Sequence, residues 1–296
     1  MKTPYYRMNL LALGMSAGLF LTGCAKEQEA ASPVNAAASQ FQGEEAFPGQ
    51  AGTPTSGKLG EENIVYEKFD NVNVYEGDIL LSAAQLEAGH PTTEGAGLNT
   101  NRWPGGAVYY EIDPALPNKA RVTDAINYWL ATFPHYRFST PTLRFIQRTN
   151  QANYVRFTPG AGCSSFIGMQ GKMQPIELAP GCTKGNTIHE IGHALGLFHE
   201  QTRADRDSHV TIHWENIQVD RDHNFKKYSS LGYNGSDHGD FDIGSMMMYG
   251  SDFFSKNGRP TITRKDGSTF GIQREVLTYS DKTGIYAMYG AGSNNH

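Results

Sequence analysis

The chain has 296 residues, of which 39% are hydrophobic and 19% are charged, and its net charge is −5. This length allows one folded domain of about 200 residues with further segments around it. The sequence lacks the basic patch typical of nucleic-acid binding, so no nucleic-acid partner is expected. No period of about 20 to 50 residues indicates a repeat architecture.

Residues 1–23 have the pattern of a signal peptide. Lys2 and Arg7 precede an apolar run that falls short of the roughly 20 residues of a transmembrane helix. The run ends in Leu21-Thr22-Gly23-Cys24, which resembles a bacterial lipobox. That resemblance implies a lipid on Cys24 and an anchored, extracytoplasmic protein of the bacterial cell envelope, with release after processing still open. The alternative is an ordinary secretory signal with an incidental cysteine.

Two segments separate the signal from the folded domain. Residues 24–62 are rich in Ala, Ser, Pro, Gly and Gln, which predicts a disordered tether. Residues 63–100 contain more large apolar side chains and are expected to dock on a folded surface. Their Tyr75-Glu76-Gly77-Asp78 piece is by itself compatible with a surface turn. The Gly-rich stretch 90–101 is a candidate site for cleavage by an activating protease.

Residues 101–296 are predicted to form the folded domain, which begins with a strand at Ala107–Ile112. A helix follows, with Asn118 as its cap residue and Trp129 in the core, and ends at Phe133. Alternating apolar side chains predict three further strands, at Leu143–Gln147, Asn153–Phe157 and Ile176–Leu178. The last of these is a candidate sheet edge for binding an extended peptide. A final helix is expected over Tyr279–Tyr289, with Ser280 as its cap and Gly290 as its end.

Cys163 and Cys182 remain when Cys24 is set aside, and they are 19 residues apart. In an exported protein they are most simply a disulfide, whose loop would contribute about 3 kcal/mol in the chain-entropy model. Zinc ligation by the two thiols is the alternative. It is disfavoured because histidines elsewhere supply a ligand set.

The stretch from His189 to His199 carries the chemistry. Residues four apart lie on one face of a helix, so His189 and His193 can direct their rings at one point. Gly196 can adopt the left-handed conformation that ends the helix and returns His199 to the same point. Zinc binds imidazole nitrogen and keeps one position open in catalytic sites, where Glu190 can act as general base toward a water molecule.

A capping box is the competing interpretation of this stretch. In it, Glu190 folds back onto the backbone and pairs with Thr187 at the start of the helix. Such a box would leave three histidines gathered around nothing, so the zinc site is preferred.

The stretch Ser245-Met246-Met247-Met248-Tyr249 takes its meaning from the zinc site. Consecutive methionines are ordinarily core residues, but beside three histidines one of them fits a tight turn beneath the metal. The phenol of Tyr249 can ligate zinc or donate a hydrogen bond to a developing oxyanion. A buried tyrosine with a satisfied hydroxyl is the alternative.

From Arg102 to Tyr289 the chain resembles the astacin family of metzincin zinc peptidases, in which a Glu such as Glu200 follows the third histidine. The resemblance rests on Arg102-Trp103-Pro104, Thr142-Leu143-Arg144-Phe145, Thr187–Asp207, Ser245–Tyr249, Phe254–Gly258 and Gly271-Ile272-Gln273-Arg274. It implies an α+β fold with an active-site cleft between two subdomains. The N-terminal subdomain would have a twisted, mostly parallel sheet and two long helices, and the C-terminal one would be largely irregular.

The resemblance also implies a role for each matching residue. His189, His193 and His199 would hold one Zn²⁺ per chain, and Glu190 would activate the water. Met247 would be the methionine of the turn beneath the metal, and Tyr249 would stabilise the tetrahedral intermediate. Glu200 would receive the new N-terminus after cleavage. Family propeptides carry an F-x-G-D segment whose Asp blocks the zinc, and Asp78 stands at that position, with Tyr75 in place of Phe.

Two departures from the family pattern remain. The family usually has a second disulfide, but Thr142 and Ala291 stand where its cysteines would be. Met248 replaces the His that commonly follows the methionine of the turn.

The sequence therefore predicts a zinc endopeptidase that is made as a zymogen and acts on proteins or peptides. A catalytically idle, lipid-anchored protein of the same fold, acting as an adhesin or binding module, is the alternative. A zinc exopeptidase is a third possibility, weakened because no obvious group would hold a substrate terminus. Arg203, Lys256 and Arg274 could each favour an acidic side chain, and nothing in the sequence chooses among them.

Overall fold

The computed structural model describes residues 45–59, 62–86, 102–133, 143–227 and 237–290. The predictions for the signal peptide, for Cys24 and for the missing second disulfide at Thr142 and Ala291 lie outside the described residues. Within the described ranges, the helices are too short or too polar to cross a membrane.

Within the described residues, the main sheet has nine strands in the order β1-β2-β3-β4-β8-β9-β7-β5-β6. Their bounds are β1 Thr53–Leu59, β2 Glu62–Phe69, β3 Val72–Tyr75, β4 Ile79–Leu81, β5 Ala107–Ile112, β6 Arg144–Gln147, β7 Tyr154–Thr158, β8 Cys163–Phe166 and β9 Met173–Leu178. A second sheet pairs β10 (Val210–Ile212) with β11 (Ile262–Arg264). The α-helices are α1 Ala83–Leu86, α2 Ala120–Thr132, α3 Lys184–Leu195 and α4 Tyr279–Tyr289.

The main sheet has two halves of different construction. Strands β5, β6, β7 and β9 pair in parallel, and β8 joins β9 antiparallel. Strands β1 to β4 form an antiparallel meander, and β4 joins the other half by pairing in parallel with β8. We call residues 45–59 and 62–86 the N-terminal meander. The meander thus continues, through β4 and β8, the same sheet that strands β5 to β9 form.

Helices α2 and α3 lie against the parallel half of the sheet and form the main core. Trp129 of α2 is fully buried, and its indole donates to the Ile188 carbonyl of α3 at 3.3 Å. Phe157 and Ile176 present buried side chains from the strands to the same cluster. The predicted core position of Trp129 is confirmed.

The described parts of the chain between α3 and α4, residues 196–227 and 237–278, are largely irregular, with short 3-10 helices and turns around β10 and β11. Their apolar side chains form a second cluster, in which Phe225, Tyr249 and Phe254 meet. The chain returns through α4, where the Tyr289 hydroxyl donates to the Leu195 carbonyl at the end of α3 at 2.8 Å. This contact fixes the end of the helix that carries two of the three histidines.

The structure corrects the predicted tether. Residues 45–59 belong to the described fold, with Ala46 fully buried and β1 at Thr53–Leu59, although the tether was expected to reach residue 62. Strand β1 is largely exposed and polar, so composition alone did not reveal it. Pairing with β2, whose apolar side chains include buried Ile64 and Tyr66, holds it in place.

The structure also corrects the predicted sheet edge and the predicted cap residues of two helices. Strand β9 is not a sheet edge, because it lies between β7 and β8. Helix α2 begins at Ala120 after Lys119, while Asn118 has a positive φ of 49° and lies outside the helix. Thr278, rather than Ser280, caps α4 and accepts from the Asp281 backbone N–H.

Candidate metal centre

Helix α3 is capped at its N-terminus by a residue pair that does not include Glu190. Thr183 is the cap residue, and its hydroxyl accepts from the Asn186 backbone N–H at 3.2 Å. The Asn186 side chain accepts in return from the Thr183 N–H at 2.8 Å, so this pair is the capping box. Glu190 therefore lies inside the helix, which excludes its pairing with Thr187. The helix ends at Gly196, whose φ of 111° is the expected left-handed conformation.

The three predicted histidines meet at one buried point. His189 Nδ1 lies 2.9 Å from the Met246 carbonyl, and His193 Nδ1 lies 2.7 Å from the Leu197 carbonyl. Because a carbonyl can only accept, each Nδ1 carries the proton and each Nε2 presents its lone pair. These two Nε2 atoms are only 3.0 Å apart. Two lone pairs facing each other at this distance favour a cation between them.

Asp78 completes the cluster from the N-terminal meander. Its carboxylate lies 3.2 Å from His189 Nε2, 3.5 Å from His193 Nε2 and 3.3 Å from His199 Nε2. The four side chains are buried, and one ligand atom from each falls within 4.8 Å of the others. Three imidazoles and one carboxylate match the four-coordinate ligand set of zinc. The residues present therefore fit one zinc ion.

Asp78 reaches this point through an unusual turn between β3 and β4. Glu76 has a φ of 48° and Gly77 a φ of 80°, both in the left-handed region. The Glu76 carbonyl accepts a hydrogen bond from the Tyr249 hydroxyl at 2.6 Å. The Glu76 carboxylate lies 2.9 Å from His199 Nδ1. The turn thus contacts a ligand and the predicted oxyanion-stabilising tyrosine as well as the metal position.

Charges within this buried cluster shift several pKa values. Burial opposes ionisation of Asp78, but His199 and His193 attract its carboxylate and hold its pKa well below the ordinary value. Burial alone would lower the pKa of His199, but Asp78 raises it to about 9 in the absence of a metal. Burial raises the pKa of Tyr249 well above its usual range, and the negative charges of Asp78 and Glu76 add to the effect. Tyr249 is therefore a hydrogen-bond donor here.

Met247 and Glu190 are both buried, the first against α3 and the second within it. A Cβ placed on Gly192 would lie 3.0 Å from Met247 Sδ, so the methionine packs directly against α3 beside His193. Glu190 is fully buried in α3 next to His189. The Met247 carbonyl accepts from the Glu200 N–H at 3.0 Å, which ties the turn to the segment that follows His199.

The carboxylate of Glu200 lies in a mostly buried environment beside the metal centre. It accepts from the Asp242 backbone N–H at 2.8 Å and lies 3.5 Å from Arg203 Nε. Burial raises the pKa of Glu200 to about 8, although Arg203 acts in the opposite direction. The new N-terminus expected there would come from residues outside the described ranges.

A second contact, remote from the histidines, joins the meander to the rest of the domain. Glu67 of β2 forms a buried ion pair with Arg221, and the Glu67 carboxylate also accepts from the Gly52 N–H at 3.2 Å. Arg221 donates to the Gln50 carbonyl at 2.7 Å and lies over the Phe254 ring at 5.2 Å. The meander is therefore attached here as well as at the histidines and along β8. Sequence reasoning missed this second contact, because no local pattern links residues so far apart in the chain.

Cys163 and Cys182 form a disulfide with an S–S distance of 2.06 Å and a Cα–Cα distance of 6.0 Å. Cys163 begins β8, and Cys182 immediately precedes the cap residue of α3. The bond therefore links the strand that pairs with the meander to the helix that carries the ligands. The structure contains the predicted bridge and excludes these thiols as metal ligands.

Comparisons with known proteins agree with this geometry. Residues 96–290 match a family model described as Astacin (Peptidase family M12A). The chain is 38% identical over 195 residues to zinc metalloproteinase nas-15 of Caenorhabditis elegans, covering 64% of this chain and 32% of that protein. It is equally 38% identical over 195 residues to flavastacin of Elizabethkingia meningoseptica, covering 64% of this chain and 42% of flavastacin. The chain thus spans less than half of either relative.

A solved structure supports the fold. High choriolytic enzyme 1, a hatching enzyme zinc-protease from Oryzias latipes, is 30% identical and aligns with a TM-score of 0.56. The likeness covers 64% of this chain and 95% of that chain. The predicted α+β fold class is therefore confirmed, and so is the zinc cofactor, on the family match together with the four-ligand cluster.

Proposed function

The chain belongs to the astacin family, and from that premise we propose that it is the inactive precursor of a zinc-dependent endopeptidase. The observation that carries the proposal is the position of Asp78 among three histidines that match the zinc ligands of a peptidase. A carboxylate in that place occupies the position at which water would react. The uncleaved chain is therefore latent, and removal of the N-terminal meander opens the site.

Two contacts support the latent state beyond the Asp78 ligand. The Tyr249 hydroxyl is held by the Glu76 carbonyl at 2.6 Å, so it cannot donate to a reacting carbonyl. Strand β8 is paired with β4 at Ile79↔Ser165 and Leu80↔Phe166. Substrate peptides need a free strand edge to add to the sheet, and we assign that role to β8 after the meander leaves.

Catalysis in the processed enzyme is assigned to two side chains around the metal. When bound, zinc supplies Lewis-acid chemistry, because it polarises a carbonyl oxygen and lowers the pKa of a water molecule. Glu190 takes the proton of the attacking water and returns it to the leaving amine. Tyr249, once released from Glu76, donates a hydrogen bond to the oxyanion of the tetrahedral intermediate. The substrates are proteins or peptides, and no side-chain preference is assigned.

Replacement of Glu190 tests this function. Glu190→Gln keeps the size of the side chain but removes the general base, so kcat of the processed enzyme should fall by about 10²–10⁴-fold. Zinc content, measured by mass spectrometry of the metal, should stay at one ion per chain. Glu275→Gln, at an exposed site, is the matched control and should keep wild-type activity. Wild-type cleavage by the Glu190→Gln enzyme would refute the proposed mechanism. Absence of cleavage by the processed wild-type chain would instead favour the alternative of a binding protein.

Glu200 is proposed to receive the new N-terminal ammonium after cleavage. Its mostly buried carboxylate already lies near one cation, the guanidinium of Arg203 at 3.5 Å. Glu200→Gln should lower the thermal stability of the processed enzyme more than that of the uncleaved chain. Equal losses in both forms would argue against this role.

We also propose that the chain is exported and anchored through a lipid on Cys24, with cleavage by another protease as the activating step. The motif Leu21-Thr22-Gly23-Cys24 supports this proposal. Cys24→Ser should abolish labelling by a fatty-acid analogue and move the protein from the membrane fraction to the soluble fraction. Membrane association that persists without labelling would show a different mode of attachment.

A further inference from the structure

The three histidines differ in how their second ring nitrogen is held. In the described structure, His189 and His193 donate from Nδ1 to the carbonyls of Met246 and Leu197, which belong to the catalytic domain. His199 Nδ1 instead faces the carboxylate of Glu76, at 2.9 Å, in the N-terminal meander. Cleavage followed by loss of the meander preserves the first two contacts and removes the third.

We propose that Glu76 is a positioning residue for zinc, and that the uncleaved chain therefore binds zinc more tightly than the processed enzyme does. The proposal rests on the precursor function given above. The meander would contribute to the metal in two ways: Asp78 as a direct ligand, and Glu76 through the orientation of His199. Removal of the meander would weaken zinc binding as well as open the site.

The first argument concerns the imidazole itself. A carboxylate that accepts from Nδ1 fixes the tautomer in which Nε2 carries the lone pair, and it prevents rotation of the ring away from the metal. The negative charge also makes the imidazole a better ligand. His199 follows the end of α3 and a bend, so it lacks the helical support of His189 and His193. It is the ligand that gains most from a partner.

The second argument concerns the cost of placing Glu76 there. Glutamate rarely adopts a φ near 48°, and such a conformation persists only where the surrounding contacts determine it. Glu76 is also almost fully buried, with 1% of its surface exposed. Burial of a carboxylate in a strained turn is unfavourable unless its contacts offset the cost. The contact with His199, together with the Tyr249 hydrogen bond to its carbonyl, supplies that offset.

Zinc affinity of the uncleaved chain tests the proposal. All chains would carry Glu190→Gln to prevent self-cleavage, and zinc would be titrated against a chromophoric chelator. Glu76→Gln keeps the shape but loses the charge, so zinc affinity should fall by about 10–100-fold. Glu76→Ala should weaken binding further, because the amide oxygen of Gln can still accept from His199. Asp70→Asn, which alters an exposed carboxylate of the same meander away from the zinc, should stay within about threefold of the parent.

Cleavage supplies an internal control. The parent chain and the Glu76→Gln chain yield the same enzyme once the meander is removed, so their zinc affinities should then be equal. Both affinities should also be weaker than that of the uncleaved parent. Cobalt(II) substitution gives a spectroscopic readout: the visible bands of the uncleaved chain should shift in Glu76→Gln and not in Asp70→Asn.

Two results would overturn the proposal. One is an uncleaved Glu76→Gln chain that binds zinc like the parent, and the other is an uncleaved Glu76→Gln chain that loses no more affinity than Asp70→Asn. Removal of the meander from a chain that keeps Glu190 separates this failure from failure of the precursor function. If that removal yields no peptidase activity, the precursor function is wrong. If it yields activity while Glu76→Gln leaves the zinc affinity of the uncleaved chain unchanged, only the role of Glu76 is wrong.

Discussion

The metal centre is built by two regions that follow different rules, helix α3 and the N-terminal meander. Helix α3 places His189 and His193 by a spacing of four residues, so the register of one helix determines their geometry. The meander places Asp78 beside His189 across 111 residues of sequence, through strand pairing with β8. A site with one locally determined part and one tertiary part can lose the second and keep the first. This division is what a removable inhibitor requires.

The largest effect is expected when the ion pair between Glu67 and Arg221 is broken. Removing one partner of a buried pair costs about 3–5 kcal/mol, because the other charge stays buried. Glu67→Gln should therefore lower the hydrogen-exchange protection of β2 and β3 by about that amount and leave α3 unaffected. Lys68→Gln, at an exposed position of the same strand, should change neither region. If α3 loses protection together with the meander, the two regions are not separable.

A second test compares the two states of Tyr249. In the processed enzyme, Tyr249→Phe removes an oxyanion donor and should lower kcat by about 10²–10³-fold, with KM nearly unchanged. In the uncleaved chain the same change removes one hydrogen bond to Glu76, which contributes about 1 kcal/mol. Steady-state kinetics and thermal unfolding measure the two effects. An unchanged kcat would remove Tyr249 from the mechanism.

Substitution of Asp78 tests whether this carboxylate alone keeps the uncleaved chain inactive. Asp78→Asn replaces a charged ligand by a neutral one, a loss of about 2–3 kcal/mol, so activity of the uncleaved chain should rise by about 10²-fold. The rate is measured on a short fluorogenic peptide, with mass spectrometry confirming that the chain is intact. Asp70→Asn, in the exposed turn between β2 and β3, is the control. Equal activity of both variants would mean that strand pairing, rather than the ligand, blocks the site.

The remaining test is a pH dependence at His223, which borders a cavity of ≈ 310 Å³ shared with Ile64, Val65 and Tyr75 of the meander. Burial lowers the pKa of His223 to about 4, from an ordinary value of 6.5. The charged groups that face it are Asp220, Arg221, Asp222 and Lys226.

His223 binds a proton more readily in the unfolded chain than in the folded chain. The free energy of unfolding should therefore fall as the pH drops from 6.5 toward 4. One such group adds a slope of at most about 1.4 kcal/mol per pH unit. His223→Gln should flatten the unfolding free energy in that window by this amount. An identical slope in both proteins would exclude His223 as the source.

Sequence reasoning succeeded where determinants are local. The metal-binding spacing, the left-handed Gly196 and the core position of Trp129 all depend on neighbours within one turn of helix. Asp78 was identified only through a family resemblance, because a lone Gly-Asp pair has no distinctive local signal. The proximity of Glu76 to that Asp was the single clue to its contact with His199.

The remaining features depend on pairing over long distances. Arg221 and Glu67 are separated by 154 positions, and nothing in either neighbourhood specifies the partner. Strand β8, with the sequence Cys-Ser-Ser-Phe, lacks apolar alternation, so the sheet edge was wrongly assigned to β9. The exposed, polar β1 was read as tether for the same reason. Its conformation depends on a hydrogen-bonded neighbour rather than on its own side chains.

In the precursor proposed above, the continuous sheet would separate activation into two events with different rates. Proteolysis of the linker after Leu86 would break a covalent bond but leave the β4–β8 hydrogen bonds and the Glu67–Arg221 contact in place. Activity would then wait for a strand to dissociate, which has the steep temperature dependence of an unfolding step. A nicked chain would accumulate before active enzyme does, and the lag between them would report the lifetime of the β4–β8 pairing. The delay before activity appears would thus depend on how long β4 stays paired with β8, as well as on when the chain is cut.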